Sequence, residues 1–148
     1  MLVRDGIAFT TGRSRYEERP GRGGELKIFV RIKAPGWSEV IDAQFDTGAA
    51  WSMLDREVAE ELGLLNGEGE AKEISTWRGT FRGQLKRVPV LLLADHGDSL
   101  HIEATVWVSR DWEAGNFLGY RGFLERVCFG IDPADRTFHF GPYERHHG

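Results

Sequence analysis

Ala43-Gln44-Phe45-Asp46-Thr47-Gly48-Ala49 is the most informative stretch of the chain. An apolar strand delivers Asp46 into a turn that continues at once with Thr47 and Gly48. The strand fixes the position of the carboxylate. Gly48 has no Cβ, so backbone N–H groups can approach and hydrogen-bond that carboxylate. The Thr47 hydroxyl can hold the turn against a neighbouring segment or subunit. Taken alone, Asp-Thr-Gly also fits an ordinary surface turn at a strand end. Its surroundings therefore carry weight.

On the N-terminal side, Leu26, Ile28, Val30 and Ile32 alternate with Lys27, Phe29 and Arg31, the two-residue period of a strand. Ala34-Pro35-Gly36-Trp37-Ser38 reads as a turn, and residues 40–45 as the return strand of a hairpin. On the C-terminal side, Asp55 is a suitable helix N-cap. Leu54, Val58 and Leu62 share one helical face, and Gly63 is placed to end the helix. Residues 72–93 read as a second hairpin with Arg78-Gly79-Thr80 near its tip. Pro89 puts its return strand at an edge or a bulge. Asp95-His96-Gly97-Asp98 is a turn, after which Leu100, Ile102, Ala104, Val106 and Val108 alternate with their neighbours. Residues 127–131 and 137–140 supply the last strands. Residues 1–24 form a partly flexible extension: 7–9 suit a short strand, and 12–24 read as a flexible connection. Helices and strands do not alternate, so the class is all-β rather than parallel α/β.

The 148 residues suffice for one domain with a core. Nineteen glycines against five prolines suit tight turns and short strands. A net charge of −4 gives no electrostatic reason to expect nucleic acid. No apolar run approaches bilayer length, and the N-terminus lacks the apolar core of a signal peptide, so a cytoplasmic protein without membrane contact is expected. The single Cys128 lies in an apolar run and reads as a small buried hydrophobe. The five histidines show no metal-ligand spacing, and neither Ser52 nor Ser109 has a histidine at a recognisable spacing. No metal and no cofactor are expected.

With these pieces in order, the chain resembles the retropepsin-like family of aspartic proteases, single-domain relatives of pepsin. Asp46-Thr47-Gly48-Ala49 matches the family's catalytic turn. Phe117-Leu118-Gly119 matches its second signature, two apolar residues and a glycine before a short helix. Tyr120-Arg121-Gly122-Phe123-Leu124 resembles the segment the family carries immediately after that glycine. The resemblance runs over about residues 26–141. It implies a closed β barrel with a flap hairpin and one or two short helices. The protease domain would occupy 25–141, with a tail at 142–148. It makes Asp46 the catalytic carboxylate and Thr47, Gly48 and Ala49 its loop. The flap falls on residues 74–84, with Thr76, Trp77, Arg78, Gly79 and Phe81 meeting a peptide or protein substrate. Trp77 and Phe81 line subsites or simply pack on the hairpin. Trp77-Arg78-Gly79 is bulkier than the glycine-rich tip of many relatives.

Aspartic protease chemistry needs two carboxyls. One activates water, while the other, protonated, binds the carbonyl oxygen. Two carboxyls at ~3 Å cannot both ionise at low cost, so one proton is retained. The chain has no second Asp-Thr/Ser-Gly: Asp5-Gly6 lacks the hydroxyl residue, and Asp98-Ser99 runs into Leu100. A two-fold axis presenting Asp46 from each subunit of a homodimer supplies the partner. The Thr47 hydroxyl then either reaches across the axis or holds its own turn. Two other readings are a retropepsin-like dimerisation or peptide-binding module that does not cut, and an unrelated β domain with a chance motif.

Overall fold

The computed structural model describes residues 1–143. Of the expected tail at 142–148, Pro142 instead ends a strand, paired with Val127, and residues 144–148, with His146 and His147, lie outside the described residues. β1 (Val3–Arg4) and β2 (Ile7–Ala8) form a small hairpin. β3 (Gly12–Arg15), β4 (Glu17–Pro20), β5 (Leu26–Lys33), β6 (Ile41–Phe45) and β7 (Ser52–Met53) precede the helix α1 (Arg56–Glu61). β8 (Glu70–Thr76) and β9 (Gly79–Leu92) make the long hairpin. β10 (His96–Gly97), β11 (Leu100–Val108), β12 (Phe117–Leu118), β13 (Val127–Asp132) and β14 (Thr137–Pro142) complete the chain.

The larger sheet has the order β4-β5-β6-β12-β7-β11-β9-β8, and the smaller β10-β3-β14-β13. β9 also pairs back to β5 through Ile32–Leu92 and Lys33–Leu91, so the larger sheet curls onto itself. Alternation places Val30, Ile32, Leu92, Val106, Leu118 and Phe138 in the main core. A second cluster gathers Met53, Leu85, Trp107 and Trp112. This is the all-β architecture expected.

The local chemistry agrees closely with the sequence. Asp55 caps α1, its carboxylate accepting from the Glu57 amide at 3.1 Å, and Gly63 sits at φ +71° just beyond the helix. β5 and β6 pair antiparallel. Pro89 faces Glu103 of β11 in a stretch of β9 paired on that side only, where its missing N–H costs no ladder bond. Cys128 is half-buried rather than fully buried.

The N-terminal region differs from expectation. Gly12–Arg15 is not a connection but a strand between β10 and β14, and Glu17–Pro20 edges the larger sheet. Thr10, Gly12, Ser14 and Tyr16 are buried at two-residue intervals. The strand period is present, but small and polar residues carry it, so no apolar alternation shows. At Gly12 a Cβ would overlap the Asp98 carbonyl oxygen. The expected turn at 95–98 accordingly contains β10, paired to β3. Among the described residues no helix is long and apolar enough to cross a membrane.

His139 on β14 is buried, and its Nδ1 has no hydrogen-bond partner. Burial holds its pKa below the ordinary histidine range by penalising the imidazolium. The unfolded chain therefore takes up this proton first as pH falls. The histidine's contribution is complete above about pH 6.5 and is lost as pH drops towards the folded value. In thermal melts from neutral to mildly acidic pH, His139→Phe should show a smaller fall in Tm than the wild type. An unchanged pH slope would contradict this.

Candidate active site

β6 aims Asp46. Ile41 and Ala43 are buried and Asp42 is exposed, so the strand has a fixed inner face. Phe45 anchors its end edge-on against Phe129 and Phe138, at 5.2 and 5.5 Å between ring centroids. The Asp46 amide donates to the Leu118 carbonyl at 3.1 Å. The Gly48 amide donates to Asp46 Oδ1 at 2.9 Å, and the Ala49 amide to the Asp46 carbonyl at 3.2 Å. The turn thus holds its own carboxylate. Asp46 is half-buried, whereas Thr47 and Gly48 are exposed. The Thr47 side chain makes no hydrogen bond within the described residues.

The second signature meets this loop directly. Phe117 and Leu118 pair parallel with Gln44 and Phe45, and Phe117 pairs antiparallel with Met53. β12 is therefore wedged between the strands on either side of the Asp46 turn. The Tyr120 and Arg121 amides donate to the Ala49 and Ala50 carbonyls, each at 2.9 Å. Gly119 lies so close that a Cβ would overlap the Trp51 carbonyl and stand 2.8 Å from the Ser52 nitrogen. The short helix expected after it is a single 3-10 turn, Leu124–Arg126.

Sequence reasoning missed two supporting residues, Ser52 and Asn116, and the second bond made by the helix cap Asp55. Ser52 is fully buried, and its Oγ accepts from the Gly119 amide at 2.9 Å. Asn116 Oδ1 accepts from the Asp55 amide at 2.8 Å, and Asp55 Oδ2 accepts from the Gly115 amide at 3.1 Å. These bonds tie the cap of α1 to the start of β12. Ser52→Ala strands a buried N–H, with an expected loss of about 2 kcal/mol in denaturant unfolding. A loss below a few tenths would show that the bond is dispensable.

The hairpin rests on an aromatic floor beside this loop. Phe81 meets Trp112 edge-on at 5.4 Å, and Trp112 meets Phe117 at 6.1 Å. Trp107 Nε1 donates to the Lys72 carbonyl at 2.9 Å and pins β8. Thr76 closes the tip by accepting from the Arg78 amide at 3.1 Å and donating to the Gly79 carbonyl at 3.2 Å. Phe81 thus packs on the floor, while Trp77 at the tip is 76% exposed.

A search of solved structures bears on the whole arrangement. The crystal structure of a retropepsin-like aspartic protease from Rickettsia conorii matches with a TM-score of 0.57. The match covers 88% of this chain and 98% of that chain, at 20% identity. The fold is retropepsin-like. In this retropepsin-like fold the Asp46 turn and the Phe117–Leu118 strand meet as described, which removes the reading as an unrelated β domain. No protein-family model matches the chain, and no curated protein matches it.

Among the described residues no group of three or more His, Cys, Asp or Glu is placed to hold a metal. A surface groove of about 900 Å³ runs past Arg87, His101 and Arg126 and does not include Asp46.

Proposed function

We propose that the chain is an aspartic endopeptidase that works as a homodimer, with Asp46 of each subunit forming the catalytic pair. The observation that carries this is the Asp46 turn. A half-buried carboxylate is held by the Gly48 amide and braced by β12, inside a retropepsin-like fold. One ionised Asp46 takes a proton from water as the water attacks the peptide carbonyl. The other, protonated, donates to the carbonyl oxygen and later helps protonate the leaving nitrogen. Each chain supplies half of the cleft. The exposed Thr47 hydroxyl makes no hydrogen bond among the described residues and is placed to bond the other subunit's loop. The hairpin tip around Thr76–Gly79 closes over an extended peptide and pairs with its backbone as an added strand would.

The bulky tip, with Trp77 exposed, favours a second reading in which the dimer binds peptides without cutting them. A peptide library incubated from acid to neutral pH separates the two. A protease gives discrete cleavage products, and a peptide analogue carrying a tetrahedral hydroxyl at the scissile position blocks their formation. A dimer that binds library peptides yet cleaves none at any pH would establish the binding module instead.

A further inference from the structure

The chain is acidic overall, yet the surface around the Asp46 loop and the hairpin tip carries arginines without carboxylate partners. Trp77 has two guanidinium groups on its ring, Arg78 at 4.9 Å and Arg22 at 5.3 Å from the centroid. Arg22 belongs to the 3-10 turn Arg22–Gly24 between β4 and β5, so a separate loop reaches the tip. Arg121 lies over Trp51 at 5.9 Å, and its amide is bonded to the Ala50 carbonyl of the Asp46 loop. None of these three guanidinium groups has an ion pair or hydrogen bond within the described residues. Glu25, the acidic residue nearest Arg22 in sequence, turns its carboxylate towards Gly21. Arg19, Arg31, Arg56 and Arg136 pair with carboxylates, whereas Arg13, Arg15, Arg82 and Arg87 also lack an ion pair among the described residues but are not stacked on a ring there.

An indole face orients a guanidinium but does not use up its N–H donors, which stay available for a planar carboxylate. Resting on the proteolytic reading above, we propose that Arg22 and Arg78 on Trp77, with Arg121 on Trp51, select peptides bearing Asp or Glu close to the bond that is cut. A carboxylate brought in by the peptide would accept charge-assisted hydrogen bonds that the free protein leaves unmade.

The test uses the Asp46→Asn dimer, so that binding is read without cleavage. Fluorescence anisotropy compares labelled peptides that differ only by Glu, Gln or Lys at positions flanking a cleaved bond, or across the library if none is cleaved. Glu peptides should bind about tenfold tighter than Gln peptides, roughly 1.4 kcal/mol, and the gap should narrow with salt. Arg22→Gln and Arg78→Gln should each shrink the gap with Tm unchanged, and Arg78→Glu should turn the preference towards Lys. Equal binding of Glu and Gln peptides, a preference that survives loss of all three arginines, or no peptide binding at all would overturn the proposal. So would a single-stranded oligonucleotide that binds as tightly as the Glu peptide. Wild-type protein that cuts peptides without regard to acidic residues would sink this inference and leave proteolysis standing. Wild-type protein that cuts nothing, with acid-selective binding intact, would do the reverse.

Discussion

Asp46→Asn is expected to lower kcat for peptide cleavage by about a thousandfold or more, with the dimer and the fold unchanged. The substitution keeps the shape of the side chain. An Asn oxygen can still accept from the Gly48 amide, as Asp46 Oδ1 does at 2.9 Å. The turn therefore keeps its main internal bond. The ability to take a proton from water, and to hold one for the carbonyl oxygen, is lost. Kinetics on a cleaved peptide, with circular dichroism and sedimentation on the same preparation, checks both halves. A peptide-binding module would bind its ligand much as before, and residual cleavage near wild-type rates would remove Asp46 from the chemistry.

Gly119→Ala is the other large effect. A methyl group there runs into the Trp51 carbonyl, which belongs to the backbone and cannot rotate away. To relieve it, β12 must shift from β7, breaking the bond from the Gly119 amide to the buried Ser52 Oγ. The expected loss is about 3 kcal/mol, seen as a lower denaturant midpoint. Activity should fall as well, because Leu118, one residue away, receives the Asp46 amide. Gly48→Ala is a useful contrast. Among the described residues, its chain neighbours aside, a Cβ there meets Asp46 Oδ1, at 3.2 Å, and no other atom within 4 Å, so a much smaller loss of stability is expected. If Gly119→Ala proved as stable as wild type, the tight contact between the two signature segments would be wrong.

Much of this was legible in the sequence, for physical reasons. The hairpin of β5 and β6 announces itself by apolar alternation, and α1 by a capping Asp and a terminal glycine. Asp46 stands out as a carboxylate at a strand end followed by Thr and Gly, and Gly119 is recognisable only through the resemblance to the retropepsin-like family. Ser52 was not legible, since a serine in Trp51-Ser52-Met53-Leu54 gives no sign that it will meet an amide from a distant segment. Asn116, and the second bond that the capping Asp55 makes to Gly115, escaped for the same reason: their partners are fixed by the packing of β12, not by local pattern. The strand at Gly12–Arg15 was hidden because glycine and serine occupy its buried face. The contact of Phe81 with Trp112 and the stacking of Arg22 on Trp77 join segments whose proximity no periodicity reveals.

The most direct test is sedimentation carried out together with activity measurement across a dilution series. The protein should cut peptides only as a species of twice the chain mass. Its specific activity should fall on dilution in step with dissociation, and adding excess Asp46→Asn chains should lower it further by forming mixed pairs with one carboxyl. If single chains, well below the concentration at which pairs form, kept full activity, two Asp46 side chains could not be sharing the work.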